Sequence, residues 1–124
     1  EQQNIKYAQK INELLKIFPE FCREYFNSLE YSKQPRTRLA YARDLKTFFE
    51  FLIAEFPQYS NYQISDFTHD IESVTGQDIS DYLRYMKVYD KDGTTVTNDE
   101  RAAKRKLCSL RRFYGYYYRL TDIK

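Results

Sequence analysis

Apolar residues recur at intervals of three and four along most of the chain, which is the period of an α-helix. The pattern predicts a first helix over 2–17. A second apolar stripe runs from Pro19 to about Tyr31, either as a separate helix or as the far half of a kinked helix that includes 2–17. Three further helices are predicted over 36–56, 75–89 and 98–119, with a short helical piece over 66–73.

Local chemistry indicates where several of these elements begin. Thr75 and Asp78 have the spacing of a capping box, in which each side chain accepts a hydrogen bond from the other residue's backbone. Asn98 is suited to cap the last helix, with Asp99 and Glu100 in its first turn. The turn-rich segment 90–97 is expected to be a loop, locally extended but not a sheet.

Composition supports an all-α fold in one domain covering 1–124. The chain has 124 residues, enough for a modest core, and only three glycines and three prolines to punctuate strands. Cys22 and Cys108 lie far apart and form no metal-binding motif, so we expect reduced thiols, no metal and no cofactor. The start lacks a signal-peptide core and no apolar run could span a bilayer, so we expect a cytoplasmic protein without a membrane partner.

Charge is distributed unevenly although its sum is only +2. Residues 101–119 carry seven Lys or Arg and no acid, whereas 66–92 carry seven acids and three bases. A solvated helix face usually mixes both signs, so the acid-free run favours a polyanionic partner.

Helical wheels place cations on one face of the predicted 36–56 helix and on one face of the predicted 98–119 helix. The 36–56 helix has, on the side away from Leu45, a mixture of cations and short or apolar residues. Lys and Arg neutralise phosphates, while hydroxyl and small apolar groups can meet phosphates and bases, so both faces suit duplex DNA. The members are Arg36, Thr37, Leu39, Arg43, Lys46 and Thr47 on that helix, and Arg101, Lys104, Arg105, Cys108, Ser109 and Arg112 on the last.

Three segments resemble the core-binding domain of tyrosine recombinases, the phage-integrase family. Residues 21–30 resemble its opening helix, and 37–52 resemble its Thr-x-x-x-Tyr-x-x-Asp-Leu-x-x-Phe pattern through Thr37, Tyr41 and Asp44. The third segment starts at Arg105-Lys106-Leu107, and the similarity spans about 18–120. Cys108 departs from the pattern, since Ser is frequent there, and the 90–97 loop is longer than in many members.

The resemblance implies a small, orthogonal, SAM-like bundle of four to five helices that grips one side of duplex DNA. A catalytic domain, expected C-terminal to this segment, would grip the other side, and further recombinase subunits would bind the same DNA. The resemblance implies DNA contacts for Thr37, Arg43, Arg101, Arg105 and Ser109. The helical wheels add Arg36, Lys46, Lys104 and Arg112.

The family's catalytic Arg, His-x-x-Arg and nucleophilic Tyr are not recognisable in this chain, so we expect no DNA cleavage by it. Its sole histidine, His69, is followed by Asp70, Ile71 and Glu72, and is read as a surface or capping residue. A protein-interaction module is the alternative, with a solvated basic face and a partner docked on the tyrosine run 116–118. A small-molecule enzyme is disfavoured, because no Gly-rich phosphate loop or acid/base pair is present.

Overall fold

The computed structural model describes residues 2–91, 93–97 and 99–122. Helices dominate this part of the chain, which confirms the predicted all-α class. The described residues form five α-helices, α1 (Gln2–Leu15), α2 (Glu20–Ser28), α3 (Pro35–Glu55), α4 (Gly76–Lys87) and α5 (Glu100–Asp122). The α3–α4 connection contains three short 3₁₀ turns, at Pro57–Tyr59, Ile64–Asp66 and His69–Ser73.

Pro19 separates α1 from α2, so the first apolar stripes belong to two helices. The residue has extended backbone angles, φ −65° and ψ 162°, and occupies the N-cap of α2. Because proline has no backbone N–H, it cannot continue the hydrogen-bond ladder of the preceding helix. The predicted helical piece at 66–73 is instead divided between two of the 3₁₀ turns.

The predicted capping box at the start of α4 is confirmed. The backbone N–H of Asp78 donates to Thr75 Oγ1 over 3.1 Å, and the backbone N–H of Thr75 donates to Asp78 Oδ2 over 2.9 Å. Asn98, the cap predicted for the last helix, lies outside the described residues. Asp99 caps that helix, since its Oδ1 accepts from the backbone N–H of Ala102 over 2.9 Å.

The segment between α4 and α5 is a β-hairpin, so the prediction of a loop without a sheet was wrong. Strand β1 (Val88–Lys91) pairs antiparallel with β2 (Thr94–Thr97). Gly93 has a φ of 78°, the left-handed conformation that tight hairpin turns require and glycine adopts without strain. The β-branched residues of β2 favour extended backbone and complete the hairpin signal.

Helix α3 runs through an aromatic core to which the other helices contribute. Phe49 of α3 stacks on Phe67 with ring centroids 4.8 Å apart, and Phe48 meets Tyr82 of α4 edge to face at 5.2 Å. Phe113 of α5 is also fully buried. Burial of rings of this size supplies much of the hydrophobic free energy of a chain this small.

Tyrosines attach the C-terminal half of α5 to this core. Tyr114 Oη donates to the carbonyl of Ile71 over 2.8 Å, and Tyr117 Oη donates to the Glu72 carboxylate. Burial raises the pKa of both hydroxyls, so they stay protonated as donors. Tyr117 is buried and Tyr118 is 43% exposed, which agrees with core packing and a partly hydrated helix end.

A buried carboxylate attaches the N-terminal half of α5 to α3. Asp44 Oδ2 accepts from Arg105 Nε over 3.0 Å, while Oδ1 accepts from Arg105 Nη2 and from Lys106 Nζ, each over 2.8 Å. The Asp44 and Lys106 side chains are only 4% and 8% exposed, whereas that of Arg105 is 49% exposed. Asp44 therefore joins two of the segments on which the family resemblance was based.

Removal of the capping side chain should destabilise α4 with little effect elsewhere. Thr75→Ala leaves the Asp78 backbone N–H without its acceptor, so we expect a loss of about 1 kcal/mol in the free energy of unfolding. Urea denaturation followed by circular dichroism measures this loss. Ser80→Ala, at an exposed position within the same helix, is the control and should change the free energy by less.

Neutralisation of Asp44 should be far more costly. Asp44→Asn keeps the side chain's size but leaves the buried Lys106 ammonium without its counter-charge, so we expect a loss of roughly 3–5 kcal/mol in urea unfolding. Lys106→Met removes the buried cation and keeps the Arg105–Asp44 pair, and should cost much less. Equal stability of wild type and Asp44→Asn would contradict the role given to this carboxylate.

Candidate nucleic-acid interface

The outer face of α5 carries exposed cations. Arg101, Lys104, Arg105 and Arg112 are all exposed, as the wheel predicted. Lys104 Nζ lies 3.9 Å from Glu100 Oε1, and both side chains are exposed to solvent. Because exposed ion pairs contribute little free energy, Lys104 can still bind another anion. Arg105 binds Asp44 and still leaves half of its side chain in solvent.

Two polar residues of the same helix face inward. Ser109, to which the resemblance gave a DNA contact, is only 5% exposed, and its hydroxyl is not part of the exposed face. Lys106 is 6% exposed and its ammonium is bound to Asp44. The acid-free run therefore presents fewer free cations than its composition suggests, because one of them belongs to the core.

Helix α3 contributes a second set of cations. Arg36 and Arg43 are exposed, and no carboxylate lies within ion-pair distance of either in the part of the chain that the structure describes. Thr37 and Lys46 are half-buried, and Lys46 Nζ lies 3.6 Å from Glu50 Oε2 on the next turn. The two arginines are thus the open cations of this helix.

Helix α1 covers one side of the α3 face that the wheel assigned to DNA. Leu39 and Thr47 are 3% and 9% exposed. Thr47 Oγ1 donates to the carbonyl of Arg43 over 2.9 Å, within its own helix. The wheel was wrong for Leu39 and Thr47, because it shows how a helix is patterned and not which neighbours pack against it.

The exposed strip of α3 lies between α1 and α5. Successive residues of an α-helix are turned by 100°, so Asp44 points to one side of Arg43, toward α5, and Lys46 points to the other. Lys46 and Arg43 line a groove with residues of α1, while Asp44 binds Arg105. The cations of α3 and α5 consequently share one side of the molecule.

A second concavity extends the basic surface toward the end of α5. It has a volume of about 410 Å³. Tyr41, Cys108, Arg111, Arg112, Gly115 and Arg119 line it. Arg111 and Arg119 were not among the predicted contacts, although both belong to the acid-free run that pointed to this helix.

Of the other candidate chemical groups, Cys108 lines the second concavity, whereas Cys22 lies in the core and His69 pairs locally. Cys22 is buried, which raises the pKa of its thiol, and Cys108 is exposed; both are free thiols. His69 is 79% exposed, and its Nδ1 lies 3.0 Å from Glu72 Oε2. Hydrogen bonds from Tyr117 and His69 lower the pKa of the Glu72 carboxyl.

Within residues 2–91, 93–97 and 99–122, no group of three or more His, Cys, Asp or Glu side chains is placed to hold a metal ion. No helix in that part of the chain is both long enough and apolar enough to cross a membrane.

Comparison with known proteins gives one relative of clear similarity. The chain is 33% identical over 113 residues to the tyrosine recombinase XerC of Caldanaerobacter subterraneus subsp. tengcongensis. The match covers 86% of this chain and 30% of that protein, so the chain spans less than a third of its relative's length. No protein-family model matches the chain, and no solved structure matches it either. The predicted resemblance is confirmed: over most of its length, this chain is a relative of part of a tyrosine recombinase.

Proposed function

We propose that this chain is the core-binding domain of a tyrosine recombinase and that it binds duplex DNA through the exposed cations of α3 and α5. The observation that carries the proposal is the position of Arg43 and Arg101 on two helices that Asp44 ties together. The similarity to a recombinase supports it independently.

The chemistry of the exposed side chains suits the sugar-phosphate backbone. The guanidinium groups of Arg36 and Arg43 have no competing carboxylate among the described residues, so an incoming phosphate displaces only water and counterions. Release of counterions from DNA then drives association, and the affinity falls steeply with salt. Arginine also matches the N7 and O6 edge of guanine, so the same face could read bases in a complete recombinase.

The proposed division of labour leaves strand cleavage to another part of the protein. The relative is more than three times as long as the matched segment, which leaves room for a separate catalytic domain in a full-length homologue. In this proposal the chain supplies one jaw of a clamp, the catalytic domain supplies the other, and further recombinase subunits bind adjacent sites.

Substitution of the open arginines should reduce both affinity and salt dependence. Arg43→Gln and Arg101→Gln each remove one phosphate contact, so we expect the slope of log K against log salt to become less steep by about 0.9 for each. Fluorescence anisotropy of a labelled duplex of about 25 base pairs, titrated between 50 and 200 mM salt, measures the slope. Arg105 is less suitable, because it also binds Asp44.

Arg84→Gln is the matched control. Arg84 lies on α4 beside Asp81 and lines a concavity with Glu55, the last residue of α3. Glu55 lies about 18 Å from Arg43 along the axis of α3, so Arg84 is far from the proposed DNA surface. Its substitution should leave the slope unchanged. Salt-independent binding, or equal effects of all three substitutions, would contradict the DNA surface and favour the protein-interaction module.

A further inference from the structure

Helix α1 lies before the segment that resembles the recombinase family, and it carries cations of its own. It packs along α3, and the two helices border a groove of about 610 Å³. The lining residues are Lys6, Gln9, Lys10, Glu13, Leu14, Ile17, Leu39, Arg43, Lys46 and Thr47.

The groove is strongly cationic. Four of its lining side chains are Lys or Arg and one is a carboxylate, that of Glu13. This carboxylate is bound to Lys16, whose Nζ lies 3.2 Å from Glu13 Oε1. Lys46 is paired with Glu50, which leaves Lys6, Lys10 and Arg43 as the groove's unpaired cations within the described part of the chain.

The two lysines follow one side of α1. Lys6 and Lys10 are four positions apart, so they lie on successive turns of the helix with their ammonium groups on the same edge. Both are exposed. The apolar residues Leu14, Ile17 and Leu39 also line the groove, and Leu39 is buried, which fixes α1 against α3 below the charged rim.

We propose that Lys6 and Lys10 form a further DNA contact site, in which the sugar-phosphate backbone of duplex DNA follows the α1–α3 groove beside Arg43. This inference rests on the function proposed for α3 and α5 and widens that surface to a third helix. Duplex DNA is the occupant that the charges select, because unpaired ammonium groups on successive turns beside an arginine can each meet a phosphate. The contact is independent of base sequence.

The test is the salt dependence of DNA binding by the whole chain with the double substitution Lys6→Gln and Lys10→Gln. Loss of two phosphate contacts should make the slope of log K against log salt less steep by about 1.8. Between 50 and 200 mM salt, the affinity of the double variant should therefore fall by roughly tenfold less than that of the wild type. The effect should be the same on duplexes of unrelated sequence. Thermal unfolding should not change, since both side chains are exposed.

Lys16→Gln is the matched control, because Lys16 directly follows α1, carries the same charge and is not among the residues that line the groove. It should leave the slope as in the wild type. A wild-type slope for the double variant, with reduced slopes for Arg43→Gln and Arg101→Gln, would overturn the α1 site and leave the proposed function standing. Absence of salt-dependent DNA binding in the unsubstituted chain would overturn both. Tighter binding by the double variant would also overturn the α1 site.

Discussion

The shared carboxylate of Asp44 is the interaction on which the arrangement of the basic helices depends. It accepts three hydrogen bonds from two adjacent residues of α5, and two of these come from the same guanidinium group in parallel geometry. A buried ion pair adds little net stability, because removing its charges from water is costly, yet loss of one partner is expensive. We infer that Asp44 mainly fixes the rotation of α5 relative to α3.

The aromatic core fixes the other half of the same helix. Tyr114 and Tyr117 donate to the His69–Ser73 turn, and Phe113 packs beneath them against Tyr25 of α2. Helix α5 is thus attached by ionic contacts near its start and by rings and hydroxyls near its end. Its remaining face is left to solvent, and this is the face that carries Arg101, Lys104 and Arg112.

The cations of this surface differ in how firmly carboxylates of the chain hold them. Lys106 looks like its neighbours in the sequence, but Asp44 holds it in the core. Lys46 has Glu50, and Lys16 has Glu13, whereas Arg43 and the two groove lysines of α1 have no ion-pair partner among the described residues. Net charge alone could not have separated these classes, since the formal sum of +2 counts them equally.

The sequence alone determined the features that arise between residues close along the chain. Helical periodicity placed the apolar stripes of the helices to within a few residues, although it left open whether the first two stripes form one kinked helix or two. The Thr75–Asp78 spacing gave the start of α4, because the interactions responsible span three or four residues. The hairpin also has a local signal, in Asp92-Gly93 and the β-branched residues after it. The tertiary structure decided the rest. A wheel cannot show that α1 covers Leu39 and Thr47, that Ser109 faces inward, or that Asp44 meets residues 61 and 62 positions away. These outcomes depend on packing between helices, which is not encoded in the period of any single one.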